Sequence, residues 1–117
     1  MSNYNGYAVN PRNGKLEQAM FLDDYYSRHQ YAVKFHDGSH YPERQVVVQD
    51  CNQNPTYFYR GYSIDIDVLE DSSGGFLYEG SVRMFSQDFY ISYCTLEGAL
   101  LEFKKAVDFQ LRYAGGA

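Results

Sequence analysis

Phe58-Tyr59-Arg60-Gly61-Tyr62-Ser63-Ile64-Asp65-Ile66-Asp67-Val68 is the stretch on which the reading of this chain turns. Phe58, Tyr62, Ile64, Ile66 and Val68 fall on every second position, and Ser63, Asp65 and Asp67 fall between them. A period of two sends the first set to one face of a β-strand and the second set to the other. The stretch therefore predicts one long half-buried strand with Arg60 as an exception on its apolar face. Asp71-Ser72-Ser73-Gly74-Gly75 then turns the chain. Phe76, Tyr78, Gly80, Val82 and Met84 form the inward face of a second strand, against outward Glu79, Ser81 and Arg83. A third strand covers Phe89 to Cys94.

Beyond this hairpin pattern the period changes. Thr95 suits a helix N-cap, with Glu97 in the first turn where the helix dipole favours a carboxylate. Leu96, Leu100, Phe103, Val107 and Leu111 then recur three or four apart, an apolar stripe closed by Gly115-Gly116. Toward the N-terminus, Leu16, Ala19, Leu22 and Tyr26 also fall three or four apart, which predicts a second helix over Lys15 to Ser27. Tyr31, Val33 and Phe35 alternate into Asp37-Gly38, a hairpin signal read as a two-residue turn with His36 opposite Ser39. Pro42 limits the return strand or places it at an edge, and Val46-Val47-Val48 makes a further short strand. Residues 1–13, rich in Asn, Gly and Tyr, read as a loose arm. The expected fold class is α+β in one domain, residues 1–117. It has an antiparallel sheet of about five strands with an N-terminal and a C-terminal helix packed on one face.

Composition narrows the function classes. The 117 residues include thirteen Tyr and eight Phe but no Trp, which favours strands and half-buried or contact surfaces. The formal net charge is −5, and the ten Lys and Arg are scattered, with Lys104-Lys105 the only adjacent pair among them. Duplex nucleic acid calls for a basic stripe, so a duplex-DNA partner is not expected. Met1 to Gly6 carries neither a basic region nor an apolar run, and no stretch approaches the ~18 apolar residues of a membrane span. The expected location is the cytoplasm, with no membrane partner and with Cys51 and Cys94 reduced.

From Tyr59 to about Arg112 the chain resembles the HicB-like antitoxin domain. The matching residues are Tyr59-Arg60-Gly61-Tyr62-Ser63-Ile64, Gly74-Gly75-Phe76, Gly80-Ser81-Val82, and Thr95-Leu96-Glu97-Gly98-Ala99-Leu100 leading into Phe103-Lys104-Lys105-Ala106-Val107. The resemblance implies three strands then a helix, and a small non-catalytic protein that binds and silences a partner such as an RNA-cleaving toxin. It leaves the first 55 or so residues unexplained, and the DNA-binding segment usual after that helix has no counterpart before Ala117.

Candidate chemistry is sparse. Asp65 and Asp67 lie two apart on one strand face, and with Glu79 across the hairpin they have the residue types of a cation site or an acid–base pair. The plainer reading, and the one expected, is the outward face of an amphipathic strand. His29, His36 and His40 lack zinc-ligand spacing and read as surface residues near a turn. Cys94 reads as a small buried core thiol rather than a nucleophile. No catalytic residue, metal site or cofactor is expected. Tyr57, Tyr59 and Arg60 at the start of the long strand, with Tyr90 on a neighbouring one, are the candidate partner-binding residues. Exposed Tyr beside Arg anchors protein interfaces and also stacks single-stranded bases. The acidic balance points to a protein partner, with a homodimer also open. The expected function is a non-enzymatic binding protein that inhibits or modulates a partner: a toxin neutraliser, immunity protein or phage-type inhibitor. The alternative is a regulatory module for single-stranded nucleic acid or a small ligand.

Overall fold

Arg60 and Gly61 both take positive φ, 51° and 85°, and with them the expected long strand folds back on itself. Such a pair makes the two-residue hairpin turn whose twist matches that of its strands, and glycine carries the second position without strain. Tyr59 and Tyr62 face one another across it. Arg60 is therefore a turn residue, not a flaw in a strand.

The computed structural model describes residues 6–22, 32–49 and 56–114. Within them the strands are β1 (Gly6–Val9), β2 (Leu16–Leu22), β3 (Ala32–Phe35), β4 (His40–Pro42), β5 (Val48–Gln49), β6 (Thr56–Tyr59), β7 (Tyr62–Asp65), β8 (Asp67–Glu70), β9 (Phe76–Met84) and β10 (Gln87–Tyr93). One helix, α1 (Leu96–Ala114), follows. The strands form an antiparallel seven-stranded sheet, β4-β3-β2-β1-β5-β6-β7, and a three-stranded sheet, β10-β9-β8. This corrects the expected fold class: the described residues are mostly sheet, with no N-terminal helix among them and twice the strands anticipated.

The region read as a helix is β2, hydrogen-bonded to β1 on one side and β3 on the other. The turn before it explains why. The Asn10 carbonyl accepts from the amides of Asn13 and Gly14 at 3.2 and 2.7 Å, and the Asn10 amide donates to Lys15 at 2.9 Å. That reversal delivers Leu16 opposite Val9, and sheet pairing on both sides then outweighs a helical spacing that the run Ala19-Met20-Phe21 satisfies equally well. Residues 23–27 of the expected helix lie outside the described residues. Of the expected loose arm, residues 6–13 carry β1, inside the large sheet between β2 and β5, and the turn after it, while residues 1–5 lie outside the described residues.

Asn10 is wholly buried and fully engaged: its amide donates to Glu17 and Asp37 at 3.1 Å each, and its oxygen accepts from the Arg12 amide at 2.9 Å. It thereby ties the β1–β2 turn to the β3–β4 turn. In the latter, Phe35 rather than His36 faces Ser39, so the loop is His36-Asp37-Gly38 and has three residues, not two. Pro42 ends β4, an edge strand of the large sheet. A single 3-10 turn, Glu43–Gln45, leads on to β5, which is shorter than the expected Val46 to Val48 strand.

Two apolar clusters lie on opposite faces of the large sheet. Successive strand residues point opposite ways, so β1 sends Val9 to one and Ala8 to the other. The larger packs Val9, Val47, Tyr57, Tyr59, Ile64, Val82, Met84 and Ile91 under Ala99, Leu100, Phe103 and Val107 of α1. The smaller joins Ala8, Ala19, Val33, Phe35 and Val46. The helix begins where the sequence places it, with the Thr95 hydroxyl accepting from the Gly98 amide at 3.0 Å. Between the sheets the chain steps from β7 to β8 at Ile66, and β9 pairs with β8 before passing beside β7. Gly80 sits at that passage, where a Cβ would lie 2.2 Å from the Asp65 carbonyl oxygen.

Two stability measurements test this packing. Phe103→Ala leaves a cavity under the helix and costs about 3–5 kcal/mol in denaturant unfolding. Gly80→Ala costs about 1–3 kcal/mol through overpacking against backbone, although alanine alone suits a strand better than glycine. A neutral result at either position would contradict the packing described.

Candidate functional site

The candidate residues separate. Tyr57 and Tyr59 are 5% and 4% exposed, on the face of β6 that α1 covers. They were expected on an accessible strand start, but the alternation of β6 turns both rings inward and leaves Phe58 outward. Tyr59 donates its hydroxyl to Asp108 Oδ1 at 2.7 Å, and its ring packs edge-on against Phe103 with centroids 6.4 Å apart. Arg60 Nη1 reaches the same Asp108 oxygen at 3.0 Å, and Lys104 Nζ lies 3.7 Å from the other. Asp108 thus clasps the helix to the β6–β7 turn. The role of Arg60 here is structural, as a half-exposed ion pair worth about 0–1 kcal/mol.

Burial, then the hydrogen bond to Asp108, pushes the Tyr59 phenol well above its ordinary value. A group whose folded-state pKa is raised contributes stability that is complete below its unfolded value, about 10, and lost as pH climbs through the folded one.

Tyr90 stands apart, 66% exposed on the face of the small sheet opposite α1. Residues opposite one another across an antiparallel pair share a face. Asp67, Glu79 and Ser92 are such a set, as are Ser81 with Tyr90 and Arg83 with Asp88. Around them lies an open groove of about 310 Å³ lined by Asp65, Asp67, Glu79, Gly80, Ser81 and Tyr90. The Tyr90 hydroxyl donates to Glu79, and that bond raises its pKa by favouring the neutral phenol. Thr56 donates to Asp65 Oδ1 at 2.6 Å, and Arg83 pairs with Asp88 at 3.3 Å. Asp65 and Asp67 do not share one uninterrupted strand, because the ladder breaks at Ile66 between β7 and β8. Among the described residues no group of three His, Cys, Asp or Glu side chains is placed to hold a metal ion.

Cys94 is exposed in the turn before α1, not a core thiol, because β10 ends at Tyr93 and the helix entry keeps position 94 outside. His36 and His40 are exposed, whereas His29 and Cys51 lie outside the described residues. The sequence reading missed the groove as a unit. It noted Asp65, Asp67 and Glu79 and, separately, Tyr90; the β9–β10 register, set by a turn at Phe85-Ser86 that carries no glycine, asparagine or proline to announce it, places Tyr90 diagonally across from Glu79.

Comparisons with models of protein families, with curated proteins and with solved structures found no match to this chain. No helix among the described residues is long and apolar enough to cross a membrane.

An absorbance titration tests the Asp108 clasp. The Tyr59 phenol is expected to ionise last, well above pH 10 in the folded protein and after the also raised Tyr90, with stability falling as pH rises beyond that value. Asp108→Asn should lower the Tyr59 pKa part of the way, since burial persists, and Tyr59→Phe should remove the last phase. A titration in which every tyrosine ionises together near pH 10 would contradict the clasp.

Proposed function

We propose that this chain is a non-enzymatic binding protein that engages a basic surface of a partner protein through the open face of its small sheet, blocking or modulating that partner. The observation that carries the reading is the groove beside Tyr90. Asp65, Asp67 and Glu79 line it, Asp88 stands nearby, and Arg83 is the cation set against them on that face of β8–β10. An exposed tyrosine amid like charges fits interface recognition, in which an aromatic anchor supplies contact energy and charge selects the partner. Burying Tyr57 and Tyr59 in the core moves the proposed contact from β6 to Tyr90.

Neutralising a toxin, as the HicB-like resemblance implies, is one form of this reading, since the surfaces with which RNA-cleaving proteins hold phosphates are basic. Action in the cytoplasm belongs to the same proposal. The alternative, single-stranded nucleic acid, draws support from exposed rings but meets carboxylates where phosphates would have to lie.

Affinity capture from cells that contain the native partner tests this. Glu79→Gln with Asp67→Asn should weaken capture of one specific basic protein, and Tyr90→Ala should cost that complex about 2 kcal/mol. Both variants should keep the wild-type melting temperature within a few degrees, because these side chains are outside both cores. An oligonucleotide shift lost in the same variants, with no protein captured, would overturn the reading in favour of the alternative.

A further inference from the structure

β10 is an edge strand, and nothing in its sequence blunts that edge. Among the described residues it pairs with β9 alone, over all of Gln87 to Tyr93. Edge strands usually carry lysine, proline or a bulge against unwanted pairing. β10 has none of these, and its one charge is Asp88.

The turn fixes which backbone groups are free. Phe85 and Ser86 both take positive φ, 51° and 65°, making a two-residue turn closed by Met84 opposite Gln87. In such a hairpin the closing pair exchanges both hydrogen bonds, and bonded pairs then recur at every second residue. Gln87, Phe89, Ile91 and Tyr93 therefore bond to β9. Asp88, Tyr90 and Ser92 point their N–H and C=O groups away from it.

We infer that the free edge of β10 pairs antiparallel with β10 of a second copy of this chain, centred on Tyr90. That register sets Tyr90 opposite Tyr90 and Asp88 opposite Ser92, so every outward residue meets an outward residue and each pair exchanges two backbone hydrogen bonds. It is also the charge-compatible register, because the acidic position faces a neutral hydroxyl rather than itself. On the helix side it sets Phe89 against Ile91 of the other copy, continuing the apolar face of the sheet.

A two-fold axis through Tyr90, perpendicular to the sheet, relates the two copies, so the interface is self-complementary and closed, as a symmetric dimer requires. It uses the backbone of β10 and does not depend on the identity of any partner protein.

Sedimentation of the full chain over about 1 to 100 µM spans micromolar dissociation constants and reads the assembly state. The expected mass is twice 13.6 kDa, falling toward 13.6 kDa on dilution. Ser92→Pro removes an outward N–H that makes no bond to β9, so the variant should be a monomer with an unchanged circular dichroism spectrum. Ser92→Asp, facing Asp88 twice across the axis, should weaken the dimer about tenfold, and Ser92→Lys should tighten it by a similar factor. The opposite signs follow from the register even if the proline variant folds poorly. A monomer throughout the range, an open-ended assembly, or a dimer indifferent to the sign of charge at residue 92 would overturn the inference.

Discussion

A missing side chain at Gly80 sets where the second sheet can lie. β9 passes so close to β7 that a Cβ at this residue would sit 2.2 Å from the Asp65 carbonyl oxygen, and Ile64 crowds the same point. No rotamer relieves a clash that involves a β-carbon and a backbone atom. The close passage in turn positions Val82 and Met84 over Ile64, carries β10 to its edge, and returns α1 across β6, β9 and β10. Sheet junction, core and the open face beside Tyr90 all follow from that one approach.

The two faces of the molecule divide the labour between them. On the helix side, Tyr59, Arg60 and Lys104 converge on Asp108, and Phe103 is buried completely. Tyrosine there supplies ring area to the core and a hydroxyl to the clasp. On the opposite side of the small sheet the same residue type, at Tyr90, projects among carboxylates that no helix covers. The tyrosine excess seen in the composition thus has two distinct uses, and strand alternation decides between them residue by residue.

That distinction explains how much of the molecule could be read in its sequence. α1, its Thr95 cap and β9 were legible because periodicity, cap or turn residues and length agreed, whereas alternation alone marked β10, expected at Phe89 to Cys94 and found at Gln87–Tyr93. Lys15 to Leu22 was misread because four apolar residues in a row satisfy either period, and the deciding fact was a reverse turn at Asn10, whose side chain reaches across to Asp37. Arg60-Gly61 was misread because arginine rarely occupies a left-handed position, so alternation seemed to run straight through a turn. For the candidate site the residue types were visible, but not their grouping. Tyr57 and Tyr59 look the same in sequence as Tyr90, and only a helix packed across β6 removes them from the surface.

The order of pairing along the chain has a consequence for assembly. β8, β9, β10 and α1 each meet their sequence neighbour, so that part closes only short loops. β1 instead meets β5 with Ala8 opposite Val48, while the intervening β2, β3 and β4 lie on the other side of β1. Short loops cost less entropy and form faster than long ones. β1 consequently pairs with β2 before it pairs with β5. Until β5 arrives, one side of β1 offers bare backbone to whatever is nearby, and a chaperone that shields that edge would act before the large sheet has closed over it.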